Sequence, residues 1–392
     1  MINRIQTLLS MTLYAVLVPA AGASTTWYVD GVNGNDANHC QATQAACKTI
    51  GHAISLASSG DSIMVAAATY SENLTIGTSL TLVGSSAATT IIDGGGRGTV
   101  VKVSSATAYV TLSQFTIQNG HARDGGGIYN AGTLRIIYST VSNNKASPSI
   151  CIFVGCGASG GGIFNVGTLT INNTTVSGNT AYTSYGRGAV AGGGISNGGT
   201  LTVSNSTISG NSFTGTSLYS SAVGGGIANS GTAFVNNSTI TGNSGPGGIW
   251  NQGSITMSSV TVSGNGGGVK TQSGQSAVIQ NSILVDNGGS DCTGSMTSKG
   301  YNLGSDATCN FSGTGDRNNT DPLLGPLQNN GGPTATMALL PGSPAIDGGN
   351  PSGCTDGQGS LLKTDQRGMP RPDPEDKGGC DMGAYESQSD QP

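Results

Sequence analysis

The sequence predicts an all-β protein: a right-handed single-stranded parallel β-helix, or solenoid, of about nine to ten coils with an N-terminal helical cap. A unit of about 20 to 22 residues recurs, opening on a glycine triplet and closing on Ser-Gly-Asn. Glycine accounts for 66 of the 392 residues, and only 9% of the residues are charged. The fixed spacing of the copies distinguishes this composition from that of a disordered linker, which has no register.

The clearest copy of the unit runs from Gly160 to Ala181 and reads GGGIFNVGTLTINNTTVSGNTA. The other copies occupy residues 125–146, 192–212, 224–244, 247–265 and 266–287. Each holds three strand-like segments that are too short for an antiparallel blade, so one unit is predicted to form one triangular coil. Leu169, Ile171 and Val176 alternate with polar residues and are predicted to point into the core.

Asparagine recurs at two corners of this unit. One column contains Asn165, Asn197, Asn229 and Asn251, and the other contains Asn179, Asn211, Asn243 and Asn265. Stacked Asn side chains can hydrogen-bond along such a column and satisfy the backbone of each turn. The recurring asparagines are therefore predicted to be structural and not part of an active site.

Residues 1–23 have the features of a secretory signal peptide. A positive Arg4 precedes an apolar stretch from Ile5 to Val18, and Ala21-Gly22-Ala23 is a small-residue cleavage site. The alternative is an uncleaved membrane anchor. No other stretch approaches the ~20 apolar residues of a membrane span. We expect an exported chain that begins near Ser24, is extracellular or at the cell surface, and has no span in its mature part.

Residues 24–60 are predicted to cap the first coil, because the end of a solenoid must be covered. Their apolar residues Ile50, Ala53, Ile54 and Ala57 have the spacing of an amphipathic helix. Asp30, Asn33, Asn35 and Asp36 could suggest structural calcium. Such side chains more often hydrogen-bond their own turn, so neither a metal nor a cofactor is predicted. Residues 61–287 then form the β-helix.

Residues 288–386 are predicted to form a final coil and an irregular capping segment, followed by a disordered tail at 387–392. Acidic residues concentrate in this part of the chain: Asp347, Asp356, Asp365, Asp373 and Asp381. We expect them to order the segment through salt bridges to Arg367 and Arg371. Catalysis and calcium binding remain the alternatives for this cluster.

The eight cysteines fall into four local pairs, which are Cys40 with Cys47, Cys151 with Cys156, Cys292 with Cys309, and Cys354 with Cys380. An even count in an exported chain predicts disulfides. Each pair brackets a loop, so we expect nearest-neighbour connectivity. A metal site is disfavoured because the chain has no Cys-x-x-Cys and only three histidines.

The repeats resemble those of bacterial right-handed parallel β-helix proteins, and the glycine triplet with Ser-Gly-Asn is similar to polymorphic outer-membrane protein repeats. The opening Tyr28-Val29-Asp30 and Lys48-Thr49-Ile50 resemble the N-terminal cap of pectate-lyase-like β-helices. The end resembles the choice-of-anchor Q segment of exported bacterial β-helices, through 321–327, 330–334, 341–350, 365–368 and 380–386. The resemblance implies fold and export strongly and implies activity weakly.

The charge balance disfavours nucleic acid as a partner, since the formal net charge is -5 and no basic stretch stands out. Enzymatic chemistry on the central coils is also disfavoured. A glycosidase normally needs two carboxylates across the scissile bond. Between Gly125 and Asn287 the sequence has one acidic residue, Asp286, and no histidine. A possible acid–base group of Asp93, His121 and Asp124 lies before these coils.

Aligning the units places every insertion at the same corner, just before the glycine triplet, so the insertions are predicted to stack into one ridge. Insertions on one face of a solenoid often mark its binding face. The candidate ligand-binding residues of this ridge are Arg97, Arg123, Tyr182, Tyr185, Arg187, Phe213 and Tyr219. The alternative is that the aromatic residues only pack their loops onto the coil.

These observations favour a secreted or surface-associated bacterial β-helix that acts as a binding or adhesin-like scaffold. Its ligand would be a polysaccharide or a cell-surface protein, because aromatic and Arg side chains suit both. The rival hypothesis is a polysaccharide-acting lyase or hydrolase with its site on the early part of the ridge. The absence of a carboxylate cluster in the repeats weighs against an enzyme.

Overall fold

The computed structural model describes residues 24–148, 157–184, 191–216, 223–374 and 379–388. Over these residues the chain is a right-handed parallel β-helix, as the sequence predicts. Each coil contributes three short strands, and the same strand of successive coils pairs in parallel. The three stacks of strands form three faces, which we call faces I, II and III in the order in which each repeat visits them.

Face I is built from the strand that follows each glycine triplet. Its strands are Leu74–Ile76, Val101–Val103, Ile128–Asn130, Ile163–Asn165, Ile195–Asn197, Ile227–Asn229, Ile249–Asn251, Val269–Thr271 and Cys292–Thr293. In most of them the first and third residues are buried, so the middle side chain points outward.

Faces II and III follow within each coil. Face II contains Thr26–Val29, Ser62–Val65, Leu80–Gly84, Tyr109–Ser113, Thr133–Ile137, Thr168–Asn172, Thr200–Ser204, Ala277–Gln280 and Met296–Ser298. Face III contains Ala68–Tyr70, Thr90–Asp93, Thr116–Gln118, Thr140–Ser142, Thr175–Ser177, Thr207–Ser209, Ile283–Val285 and Leu303–Gly304. Two longer strands, Thr232–Thr241 and Ser254–Ser263, run through both faces.

Equivalent repeat residues pair with one another, and this register builds the core. Leu169 pairs with Leu201, and Ile171 pairs with Val203. Apolar side chains therefore stack in columns along the axis, where removal of their surface from water stabilises the fold. Leu169, Ile171 and Val176 are fully buried, which confirms the predicted inward positions.

The corner between faces II and III is made by a single residue with a positive φ. This residue is Gln114, Tyr138, Asn173, Asn205, Asn237, Ser259 or Asn281 in successive coils. Asn tolerates this left-handed conformation better than most residues, which explains its frequency here. At the corner between faces III and I the same role falls mainly to the glycine of Ser-Gly-Asn, as at Gly210 with φ 61°.

Both predicted asparagine columns are present, and they hold the other corners together. In the first column, Asn165 Nδ2 donates to Asn197 Oδ1 at 2.7 Å, and Asn197 donates in the same way to Asn229. In the second, Asn179 donates to Asn211 at 2.9 Å. The columns extend further than predicted, to Asn130 in the first and to Asn144 and Asn287 in the second.

The N-terminal cap contains the predicted helix, Ile50–Leu56, after a short 3-10 turn at Thr43–Ala45. Thr49 caps the helix by accepting from the backbone N–H of His52 at 3.2 Å. The Glu72 carboxylate accepts from the first two helical N–H groups, at 2.9 and 2.8 Å. These acceptors satisfy donors that a helix N-terminus leaves free.

The C-terminal residues, which the sequence predicts to be an irregular capping segment, lie along the side of the solenoid. An antiparallel pair, Leu324–Gln328 with Thr336–Leu339, begins this lateral segment, which we define as residues 320–374 and 379–388. It covers the outer surface of face III from the coil of Thr207 onward. Ile283 and Leu303, which point outward from the solenoid, are buried there against apolar residues of the segment such as Met382.

Three of the four predicted disulfides are confirmed, those joining Cys40 to Cys47, Cys292 to Cys309 and Cys354 to Cys380. The fourth pair, Cys151 and Cys156, lies outside the described residues, as does the proposed signal peptide. In the predicted tail, Ser387 N donates to Asp381 Oδ2 at 2.6 Å. None of the helices in the described ranges has the length and apolarity to cross a bilayer.

Candidate functional site

The outer surface of face I carries a row of side chains from the middle residue of each strand. After Thr75 on the first strand, the row continues with Lys102, Tyr129 and Phe164, which pair in register on successive strands. We call these three residues the aromatic strip. Lys102 is exposed and the two aromatic residues are partly exposed.

The three side chains of the strip contact one another. The ring centroids of Tyr129 and Phe164 are 5.5 Å apart with an interplanar angle of 35°. Lys102 Nζ lies 5.5 Å from the Tyr129 centroid, within range of a cation–π interaction. The result is two adjacent aromatic rings, with the positive charge of Lys102 over the ring of Tyr129.

The same row is closed to solvent farther along the axis. Ser196, Ala228 and Trp250 occupy the outward positions but are only 3%, 0% and 3% exposed. Lys270 Nζ lies 4.7 Å from the Trp250 ring centroid. Of the outward aromatic residues described on face I, Tyr129 and Phe164 are therefore the ones that a ligand can reach.

The loop that ends at Gly125 approaches the backbone of Tyr129. A side chain at Gly125 would lie 3.1 Å from the Tyr129 Cα, and φ there is +65°, so only glycine fits this approach. The preceding Arg123 and Asp124 form an ion pair of 3.7 Å, with side-chain exposures of 65% and 30%. Burial raises the pKa of Asp124, although the Arg123 charge and a backbone hydrogen bond from Ser159 oppose this.

The predicted stacking of the insertions is confirmed in the described residues. A four-stranded parallel sheet joins His121–Ala122, Lys145–Ala146, Thr180–Ser184 and Ser212–Thr216 at the corner between faces III and I, and Ala191–Gly192 pairs with Val223–Gly224. Tyr182 is 40% exposed on this corner. Phe213 instead packs against Ala146, Ala158 and Ala181, which leaves it less available to a ligand than predicted.

Of the remaining candidate residues of the predicted ridge, one is described by the structure and three are not. Arg97 is exposed, and its backbone carbonyl accepts from Asn73 Nδ2 at 2.6 Å. Tyr185, Arg187 and Tyr219 lie outside the described residues.

Asp93 and His121 line one open depression of about 350 Å³ together with Lys145, and Asp124 does not line it. The Asp93 carboxylate accepts hydrogen bonds from Gln118, Asn119 and the backbone of Gly95. Burial alone would raise the pKa of Asp93, but these hydrogen bonds outweigh it and the pKa is lowered. Asp93 is therefore suited to holding its turn and poorly suited to proton donation.

The acidic positions suggested for calcium are occupied by hydrogen bonds. Asp30 accepts from the backbone of Val32 and Asn33, and Asp36 accepts from Lys48, Thr49 and the Thr49 hydroxyl. Potential metal-ligand atoms of Cys40, Cys47 and His52 also lie within 4.8 Å of one another. The disulfide consumes both thiols, so that group offers a single imidazole.

The C-terminal acids form a buried network of ion pairs and hydrogen bonds. Arg367 Nε lies 2.8 Å from Asp365 Oδ2, and Arg371 Nε lies 2.7 Å from Glu386 Oε2, with all four side chains buried. The Arg367 guanidinium stacks 3.6 Å from the Tyr385 ring centroid. This agrees with the predicted salt-bridge role of Asp365, Arg367 and Arg371, while the part played by Glu386 was not foreseen.

Two further carboxylates of the C-terminal region are held by hydrogen bonds. Asp381 accepts from the backbone of Asp347 and Ser387, and Asp356 accepts from Gln358 and Ser360. Burial, together with the neighbouring Glu386 charge, raises the pKa of Asp381 to about 7. The buried network joins residues 365–371 to residues 381–386, and its charged side chains are at most 5% exposed, too buried to meet a substrate. Asp356 is partly exposed.

Comparison with known proteins finds similarity to solved structures alone. No family model and no curated protein matches the chain. Among solved structures it is similar to pectate lyase Pel9A, with 15% identity, a TM-score of 0.48 and coverage of 94% of this chain and 98% of that chain. It is also similar to pectin methylesterase PemA from Erwinia chrysanthemi, with 12% identity, a TM-score of 0.31 and coverage of 70% and 81%.

A GH136 lacto-N-biosidase from Eubacterium ramulus is similar at 13% identity and a TM-score of 0.30, with coverage of 70% of this chain and 68% of that chain. Identities of 12 to 15% show nothing about the chemistry of this chain. The resemblance to choice-of-anchor Q segments and to polymorphic outer-membrane proteins stays a prediction.

Proposed function

We propose that this protein is an exported carbohydrate-binding β-helix whose aromatic strip is the binding surface. The contact of Tyr129, Phe164 and Lys102 on an accessible stretch of face I carries this proposal. Sugar rings present C–H groups with partial positive charge, which pack favourably on the negative face of an aromatic ring. Disulfides persist in oxidising compartments, and the three in this chain support export.

The charges around the strip favour acidic polysaccharides over neutral ones. Lys102 is exposed at one end, and the Arg123 side chain is 65% exposed at the loop that reaches Tyr129. Both can pair with carboxylate or sulfate groups of a bound glycan. Asp124 offsets part of this charge. Because Lys102 and Arg123 are exposed, salt screens their charges, and we expect the preference for acidic glycans to weaken in high salt.

Affinity electrophoresis of the purified protein through gels that contain alginate, hyaluronate, dextran or starch tests the proposal. We expect retardation by the acidic polysaccharides. Replacing Tyr129 and Phe164 by Ala should weaken binding at least about tenfold, because both stacking surfaces are lost. Lys102→Ala should weaken binding to the acidic polysaccharides more than to the neutral ones.

The matched control is Tyr109→Ala, since Tyr109 is 47% exposed but begins a strand of face II. Equal binding by the wild type and the Tyr129→Ala/Phe164→Ala variant would remove the strip as the binding surface. The rival enzyme hypothesis has one observation in its favour, the raised pKa of Asp124 in the loop that ends at Gly125. Depolymerisation of a glycan in the same samples, lost in Asp124→Asn, would support that rival instead.

A further inference from the structure

A second open surface lies on the opposite side of the molecule from the aromatic strip. It is a groove of about 450 Å³ along the corner between faces II and III. Its lining spans four coils, from the turn at Ser86–Ala87 to Pro333 of the lateral segment, and includes Tyr138, Thr140 and Thr175. At about 4.8 Å per coil the groove is roughly 14 Å long.

The groove continues a column of threonines that the protein itself already uses as a docking surface. Thr140, Thr175, Thr207, Thr239 and Thr261 pair in register along the outer side of face III. The lateral segment covers the last three, which are 1%, 0% and 2% exposed. Thr140 and Thr175 lie beyond its edge and are partly exposed.

The lateral segment recognises this column by hydrogen bonds to the threonine hydroxyls. The carboxamide of Gln366 bridges two successive coils, because Thr239 Oγ1 donates to its Oε1 at 2.7 Å and its Nε2 donates to Thr207 Oγ1 at 2.9 Å. Thr207 Oγ1 in turn donates to the Ala335 carbonyl at 2.6 Å. Along the same column, Ala384 N donates to Thr261 Oγ1 at 3.1 Å.

In the described part of the chain, the polar side chains that line the groove make no hydrogen bonds of this kind. Within the ranges that the structure describes, the side chains of Gln114, Tyr138, Thr140, Asn173 and Thr175 have no hydrogen-bond partner. Farther along the same corner between faces II and III, the corner residues do have hydrogen-bond partners. Asn237, for example, donates to the Thr364 carbonyl at 2.6 Å and accepts from Arg371 at 2.8 Å.

We propose that the groove is a docking site for an extended polypeptide segment of a partner protein, one that carries a glutamine or asparagine side chain. Its carboxamide would bridge Thr140 and Thr175, which are one coil apart, as Gln366 bridges Thr207 and Thr239. A polypeptide is favoured over a glycan because the groove is continuous with a surface that binds a polypeptide. Tyr138, which is 50% exposed, would pack against the docked segment.

Panning of a random 15-residue peptide library displayed on phage, against the whole protein, tests this proposal. The variant Thr140→Val/Thr175→Val removes both hydroxyls and keeps β-branched side chains, and it serves for counter-selection. We expect peptides that bind the wild type and not the variant, with a recurrent Gln or Asn. A synthetic peptide from this set should bind the variant about tenfold less tightly, because two hydrogen bonds are lost.

The control is Ser142→Ala/Ser177→Ala, on the same two strands but outside the groove lining. It should leave binding of the selected peptide unchanged. A second variant, Thr175→Arg, fills the groove from its exposed side and should abolish binding even if the valine variant proves unstable. Selection that yields no peptide sensitive to these groove variants would overturn the proposal.

A carbohydrate role for the groove is tested in the same series. If the groove variants lose retardation by a polysaccharide, the groove is a carbohydrate surface and the polypeptide proposal is wrong. The strip variants change only face I, so the proposed function and this inference can fail separately.

Discussion

At the scale of single residues, the asparagine columns show how a side-chain amide stabilises a turn by hydrogen-bonding groups that strand pairing leaves unsatisfied. Asn197 is fully buried, and its Oδ1 accepts from Asn165 while its Nδ2 donates to Asn229, each at 2.7 Å. The same Nδ2 also lies 3.1 Å from the Gly199 carbonyl of its own turn. All amides must point the same way along the axis, so each position depends on both neighbours.

Replacing Asn197 by Ala should lower the free energy of unfolding by about 3 kcal/mol, since buried partners at Asn165 and Gly199 lose their hydrogen bonds. Chemical denaturation followed by circular dichroism measures this. Asn329→Ala is the control, because that exposed side chain only caps the N–H of Gly331. A loss below about 1 kcal/mol for Asn197→Ala would show that the column contributes little to the corner.

At the scale of elements, the corner between faces II and III sets the direction of every third strand. Its residues have φ between 45° at Asn237 and 65° at Gln114. This conformation costs most L-residues roughly 1–2 kcal/mol. Tyr138 and Ser259 adopt this conformation at the corner, in addition to the Asn residues. The geometry is therefore imposed by strand pairing on both sides and not by the corner residue alone.

The strands, the cap helix and three disulfides were predictable, because each depends on a local pattern such as alternation or loop-bracketing cysteines. The side-on docking of the lateral segment was not. Outward residues such as Ile283 and Leu303 look like ordinary core residues in the sequence, and only the folded chain shows that they are covered.

The candidate site was predicted in part. The stacked insertions were located from repeat alignment, whereas the aromatic strip was missed. Tyr129 and Phe164 occupy a repeat position that elsewhere holds Ser196 or Ala228, so it looked like a variable position. The sequence could have predicted the strip, because Tyr129 and Phe164 are outward residues at equivalent positions of neighbouring strands, and such side chains contact each other.

The contact between the lateral segment and face III depends on Gln366. Its carboxamide contacts Thr207, Thr239 and Thr334. Gln366→Ala should speed backbone hydrogen exchange across the segment by at least about tenfold while the central coils stay protected, because docking is lost locally. Exchange followed by mass spectrometry measures this.

Gln328→Ala is the matched control for Gln366→Ala, since that exposed side chain only contacts Asn330. It should leave exchange of the segment unchanged. Equal exchange in the wild type and in Gln366→Ala would mean that the apolar contacts around Ile283 hold the segment without the polar column.

At the scale of the whole molecule, the buried carboxyl groups of the lateral segment couple its docking to pH. Asp381 N donates to Glu386 Oε2 at 3.0 Å, while Glu386 Oε1 has no partner among the described residues. Burial raises the pKa of Glu386, against the opposing charge of Arg371. Two neighbouring carboxyl groups with raised pKa values favour a protonated form below neutral pH.

The stability of the protein should fall as pH rises from about 4 to about 7. The pKa of Asp381 is raised from 3.8 to about 7 in the fold. The folded state therefore binds more protons than the unfolded state in this interval, and the stabilisation is complete below the unfolded pKa and lost through the folded pKa. The expected loss is on the order of 2–4 kcal/mol. Thermal unfolding measured across this pH range tests it.

Asp381→Asn should flatten this dependence, because Asn resembles the protonated acid at every pH. The variant should match the wild type near pH 4 and exceed its stability near pH 8. Asp93→Asn is the control. The pKa of Asp93 is lowered, so its contribution is lost only as pH falls below about 4, and the slope between pH 4 and 7 should remain. A wild-type slope that persists in Asp381→Asn would place the titrating group elsewhere.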